Sequence, residues 1–169
     1  EDTAWQRNLG NQWSGNAVQA QVLSDGKYGA PMLYAQWSTN TEPVLELTSR
    51  FATRDHAVDL GRPRSDAERL SAPERAFFTA PTEYIPTDGI VRDTARDIVK
   101  RERSDVGKAR AIYEWVVENT FRDPKVRGCG WGDIKSMLET GNLGGKCGDL
   151  NALFVGLARS LGIPARDTY

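Results

Sequence analysis

The chain has 169 residues, 39% hydrophobic and 27% charged, with a formal net charge of −1. That composition suits a folded globular protein, and it carries no charge excess that would draw the chain to nucleic acid or an anionic membrane. No apolar run is long enough to span a bilayer, and no basic start followed by an apolar stretch marks a signal peptide. Glu1 does not read as a natural start and Tyr169 ends abruptly, so both ends read as cut and the compartment stays unassigned, an extracytoplasmic one included.

Residues 1–15 carry Trp5, Trp13 and several Gly or Asn turn signals with little periodicity, and read as the tail of an element that begins elsewhere. Val18, Ala20 and Val22 alternate with Gln19 and Gln21, the period of a half-buried strand. Asp25-Gly26 opens a turn, and Leu33, Ala35 and Trp37 form the next alternating face. Leu45, Leu47 and Phe51 alternate with Glu46, Thr48 and Arg50 in a longer strand after Pro43. Antiparallel strands with one wet face fit residues 16–54. Trp5, Trp13, Tyr34 and Trp37 are expected to make a small β core rather than a sugar- or peptide-binding surface.

Residues 61–87 read as a connector, with Pro63, Pro73, Pro81 and Pro86 spread along it and Ser71 with Glu74 set to cap one short helix through Phe77 and Phe78. This divides the chain into a β domain over 1–60, a connector over 61–87 and a mainly helical part over 88–169. Asp88 is the expected cap of a helix with Ile90, Val91, Thr94, Ala95, Ile98 and Val99 on its inner face. Ser104 or Asp105 caps a second, with Val106, Ala109, Ile112, Tyr113, Val116 and Val117 inward and Trp115 off that stripe. Asp133 caps a third, short helix with Ile134, Met137 and Leu138 inside, ended by Gly141-Asn142.

The last stretch organises the rest. Gly144-Gly145-Lys146 makes a tight turn, Cys147 follows, and apolar residues recur at 150, 153, 154, 157, 158 and 161 until Gly162 and Pro164 stop the helix. Cys147 therefore falls in the first turn of a buried helix. Unpaired N–H groups and the positive end of the macrodipole favour an anion there, a thiol loses its proton more easily, and the thiolate is the nucleophile. The bland alternative is a buried structural cysteine, against which the small and polar neighbours argue. Gly141 to Lys146 is not a phosphate loop, because no strand precedes it and no Ser or Thr follows the lysine.

The run Gly145, Cys147, Gly148, Asp149, Leu153, Phe154, Leu157, Arg159 and Gly162-Ile163-Pro164-Ala165-Arg166 resembles the nucleophile motif of the transglutaminase-like superfamily, which includes bacterial transglutaminase-like proteins, some cysteine proteases and peptide N-glycanases. Ala109-Arg110-Ala111-Ile112-Tyr113-Glu114-Trp115-Val116 looks like the helix such proteins carry upstream. The resemblance implies an α+β chain: a small antiparallel β domain, then the helical half of a papain-like core without its C-terminal sheet. It also implies a cysteine nucleophile, Cys147, acting on protein or peptide amides by acyl transfer, with transglutaminase, amidase and protease activities left unseparated.

The superfamily places a histidine and an acid on strands after the nucleophile helix. Here the one histidine, His56, lies far upstream, so this stretch of chain is expected to be inactive alone. The backbone N–H of Cys147 is one oxyanion donor. Trp131 and Asn142 are candidates for the second, although turn or packing roles are the simpler account of each. Asp149 reads as a first-turn dipole partner and Arg166 as structural. No cofactor or metal is expected. Phe154 and Leu157, without the following strands, are expected to need a cover, through self-association or a second chain. Two other readings stay open: a non-catalytic peptide-binding or assembly scaffold, and a redox pair of Cys129 and Cys147, which requires their α-carbons within about 7 Å.

Overall fold

The computed structural model describes residues 3, 5–27, 29–57, 59, 61 and 69–167. Two compact units divide the chain, Glu1–Asp59 and Leu60–Tyr169. Residues 62–68 of the expected connector, Pro63 included, lie outside the described residues.

The first unit holds four strands, β1 (Gln6–Gly15), β2 (Gln19–Ser24), β3 (Pro31–Gln36) and β4 (Leu45–Thr53). They form two antiparallel ribbons, β1 with β4 and β2 with β3, the latter in register from Gln19 opposite Gln36 to Ser24 opposite Pro31. Antiparallel pairing over 16–54 is as expected, but β1 is a correction: residues read as a shapeless tail form a ten-residue strand. Its pattern was hidden because both faces are exposed along its whole length, so no alternation was imposed on the residue types. A register shift after Asn8 leaves Leu9 unpaired, and Gly10 follows at a positive φ with its N–H on Asn8 Oδ1 at 2.8 Å. Asn16 joins the ribbons. Its Oδ1 accepts from Trp37 Nε1 at 2.8 Å and the Val44 N–H at 2.9 Å, while its Nδ2 donates to the Glu42 carbonyl at 2.9 Å.

The expected aromatic β core does not form. Trp5, Trp13 and Tyr34 are exposed, Trp37 is half-buried, and no described residue of this unit is buried. Two separate two-stranded ribbons have no second layer with which to enclose side chains. Val18 and Val22, expected half-buried, are exposed for the same reason.

The second unit is built from α1 (Ala72–Thr79), α2 (Gly89–Ile98), α3 (Asp105–Asn119), α4 (Ile134–Thr140) and α5 (Cys147–Ser160), with the short strands β5 (Phe121–Arg122) and β6 (Gly144–Gly145) pairing in parallel. Ser71 and Glu74 close the expected capping box on α1, Ser104 Oγ accepts from the Gly107 N–H to cap α3, and Gly141, at φ 69°, ends α4.

α5 is the hub, packed against α1, α2, α3 and α4. Leu153 and Leu157 are fully buried with Val91, Ala95, Ile112 and Ile134, each large aliphatic side chain contributing roughly 1.5–3 kcal/mol. Gly156 lets α4 and the segment between α1 and α2 approach, since a Cβ there would run into Ile134 and Ile85. The helix is therefore buried on more than the expected stripe, with Gly148, Asp149, Ala152, Val155 and Gly156 also inside.

Two expectations are corrected here. Leu157 is fully buried and Phe154 half-buried within this chain's own helices, so neither needs an outside cover. On α3 the inner stripe is rotated: Ala111, Ile112, Trp115 and Val116 meet the core, while Val106, Tyr113 and Val117 are exposed. The bulky indole of Trp115 took the place assigned to Tyr113 and Val117.

Arg159 fastens the end of α5, donating from Nε to the Ala165 carbonyl at 2.8 Å and from a terminal nitrogen to the Ala80 carbonyl at 3.0 Å. Arg166 lies over the Phe78 ring at 5.7 Å, so its structural part is played through a cation–π contact.

Candidate active site

Glycine and hydrogen bonding set the place of Cys147. β6 pairs with β5, Gly144 opposite Phe121 and Gly145 opposite Arg122, and the Asp123 N–H donates to the Gly145 carbonyl at 2.9 Å. The chain then turns at Lys146, in extended backbone, and Cys147 is the first residue of α5. Its thiol is free and exposed, while Gly148 and Asp149 beside it are buried. As the first helical residue, Cys147 has an N–H with no acceptor inside the helix.

Asp149 ties this turn to a second loop. Its Oδ2 accepts from the Lys146 N–H at 3.0 Å and its Oδ1 from the Gly132 N–H at 2.9 Å, in a site that leaves the residue 8% exposed. The second loop is Arg127–Asp133, and it presses on α5 through glycines. The Gly148 N–H donates to the Cys129 carbonyl at 2.7 Å. A Cβ on Gly130 would collide with the Asp149 carboxylate, and one on Gly148 would come 2.6 Å from the Cys129 oxygen. Gly130 and Gly132 also hold positive φ values of 95° and 70°.

The second cysteine arrives by this packing. Cys129 is set against the head of α5 by its carbonyl, which accepts from the Gly148 N–H next to Cys147. The neighbouring Cys147 side chain, through hydrogen bonding and then through its charge when ionised, raises the Cys129 thiol above its ordinary value, desolvation adding and Lys146 opposing. Cys129 therefore holds its proton. This packing keeps the redox pairing of Cys129 and Cys147 open, and the Gly-Cys-Gly-Trp-Gly run fits a loop that lies against another backbone.

Beside Gly148 opens a shallow cleft of about 190 Å³, walled by Thr82, Tyr84, Ile85, Trp131 and Ala152. Trp131 is 77% exposed and tilts against Tyr84 with ring centroids 6.5 Å apart. Asn142 lies in the turn before β6, where its Oδ1 accepts from the Gly144 N–H at 3.2 Å. His56 is in the N-terminal unit, stacked on Trp5 at 4.0 Å. Among the described residues no cluster of His, Cys, Asp and Glu is suited to hold a metal ion, and no helix is long and apolar enough to cross a membrane.

The transglutaminase-like superfamily model matches residues 92–169, the stretch that carries the exposed cysteine at the head of α5. An uncharacterized protein of Haemophilus influenzae is 37% identical over 164 residues, covering 93% of this chain and 44% of the relative. A crystal structure described as that of a "putative cysteine protease" from Cytophaga hutchinsonii shares the fold with a TM-score of 0.67 at 16% identity, over 96% of this chain and 56% of that one. The chain thus spans about half the length of the proteins it matches. The fold is α+β, shared with the Cytophaga hutchinsonii structure over both units of the chain.

Proposed function

We propose that Cys147 is the nucleophile of an acyl-transfer reaction on protein or peptide amides. The observation that carries this reading is the exposed thiol of Cys147 at the first position of a buried helix within the transglutaminase-like segment. The thiolate attacks an amide carbonyl carbon, the C–N bond breaks, and ammonia or an amine leaves with a proton from the base. A thioester remains until water or a second amine takes the acyl group. The Cys147 N–H is the first oxyanion donor. The Gly148 N–H is already engaged by Cys129, so the second donor is sought among side chains, with Trp131 and Asn142 as candidates. The neighbour's description as a cysteine protease makes hydrolysis one arm of this reading.

No base is assigned within residues 1–169: the resemblance expects a histidine after the nucleophile helix, and the one histidine of this chain, His56, precedes it in sequence. Losing general-base help typically forfeits ~10²–10⁴ in rate, so this stretch alone is inactive. The test measures ammonia release from a glutamine peptide and cleavage of casein by the full-length protein, its Cys147→Ala variant and residues 1–169. Turnover by the full-length protein alone is the expected result. Peptide binding with no turnover in any form, and no covalent acyl adduct, would assign the fold to a binding scaffold instead.

A further inference from the structure

We propose that Cys129 is the resolving partner of Cys147, so that a peroxide converts the two thiols into a reversible disulfide that masks the Cys147 sulfur. Both thiols are free and exposed, which admits a small oxidant, and the backbone bond between Cys129 and Gly148 brings the two cysteines together at the head of α5. The contact is built in. The Cys129 carbonyl is bound by the Gly148 N–H, and Asp149 clamps the loop three residues further on through Gly132. Cys129 also sits between Gly128 and Gly130, both at positive φ, which lets the loop turn tightly where its backbone meets the helix end.

The electron balance assigns the roles. Cys147, the first residue of α5 at the positive end of its dipole, is the sulfur assigned to meet the oxidant first. Its thiolate attacks one oxygen of hydrogen peroxide, the O–O bond breaks, and hydroxide leaves as water after taking a proton. The resulting sulfenic acid is attacked by the Cys129 sulfur. The S–O bond breaks, and the departing hydroxide takes the Cys129 proton to form a second water. Two thiols lose two electrons and two protons, and one peroxide becomes two waters. A thiol-disulfide exchange with a dithiol reductant reverses the change. Without a partner at contact distance, the sulfenic acid of an exposed cysteine proceeds to the sulfinic acid, which a thiol does not reduce.

The effect on acyl transfer rests on Cys147 being the nucleophile; the disulfide chemistry does not. The experiment exposes the full-length protein to hydrogen peroxide, blocks remaining thiols with iodoacetamide and maps peptides by mass. The expected result is a linked Cys129–Cys147 peptide lighter by two hydrogens, with loss of labelling at both cysteines that dithiothreitol restores. In Cys129→Ser, labelling of Cys147 is lost and dithiothreitol does not restore it. Peroxide that leaves both thiols open to labelling, or drives Cys147 of the wild type to the sulfinic acid with no linked peptide, overturns the proposal, and these wild-type outcomes stand even if the variant does not fold. A linked peptide in a protein without turnover in either redox state keeps the switch and removes the acyl-transfer reading. Turnover in the reduced protein with no linked peptide does the reverse.

Discussion

The carboxylate of Asp149 accepts one N–H from the turn before the nucleophile helix and one from the loop that carries Cys129. Gly132 is itself buried, so removing its acceptor strands a donor away from water. Asp149→Ala is expected to cost about 2 kcal/mol, read as a lower urea midpoint at unchanged m, and to loosen Cys129 from Cys147. Asp149→Asn, which keeps one acceptor oxygen, should lose less. A second expectation concerns Cys129 directly. Its pKa is raised by the Cys147 sulfur, so its alkylation should begin only above the pH at which an ordinary thiol reacts. Cys147→Ala removes both the hydrogen bond and the charge, and the Cys129 labelling profile should move to lower pH. A profile that stays in place would show that the thiols do not meet in solution. The position of Cys147 was legible because glycine punctuation and a helical period are local signals. The Cys129 backbone contact and the second bond of Asp149 were not, because they join groups 19 and 17 residues apart through backbone atoms that no side-chain pattern reports.

The helices were legible where caps and periodicity agree. Asp133 was read as the cap of α4, and its Oδ1 accepts from the Ser136 N–H at 3.1 Å while Oδ2 accepts from the Ser136 hydroxyl at 2.7 Å. Those bonds hold the Asp133 carboxyl below its ordinary range, as the bonds from Ser71 do for Glu74. A carboxyl lowered by folding contributes stability that is complete above its unfolded pKa, near 4, and is lost as pH falls through the lower folded value. Asp133→Ala should therefore cost about 1 kcal/mol at neutral pH, and the difference from wild type should shrink in acid, as paired urea titrations would show. α3 was misread by a rotation because Tyr113 and Val117 look as apolar as Ala111 and Trp115, and a helix with apolar residues on two sides does not declare which side is inner. The glycine of α5 is another packing fact without a sequence signal. Gly156→Ala raises helix propensity, but its Cβ would enter the space of Ile134 and Ile85. Overpacking of that kind typically costs 1–3 kcal/mol, more than the propensity gain, so the variant should melt lower than wild type.

At the scale of the whole chain the two units differ in what holds them. The N-terminal unit keeps its pairing through ladder hydrogen bonds and the Asn16 junction, with Leu47, Phe51, Val22 and Met32 all exposed and no buried side chain among its described residues. The second unit has its apolar side chains gathered around α5, and Ile112, Ile134, Leu153 and Leu157 are fully buried. Isolated two-stranded ribbons are marginal in water, whereas a helical core of this kind supports cooperative unfolding. Residues 1–59 expressed alone are therefore expected to show a broad, non-cooperative melt and rapid amide exchange, and residues 60–169 alone a sigmoidal one. Leu153→Ala applies the same argument inside the second unit. It empties a fully buried site at the centre of the hub, and a loss of about 2–5 kcal/mol is expected there with little change in the exchange of β1 and β4. A cooperative melt from residues 1–59, or a Leu153→Ala variant whose midpoint stays at the wild-type value, would show that the buried cluster around α5 is not what stabilises the chain.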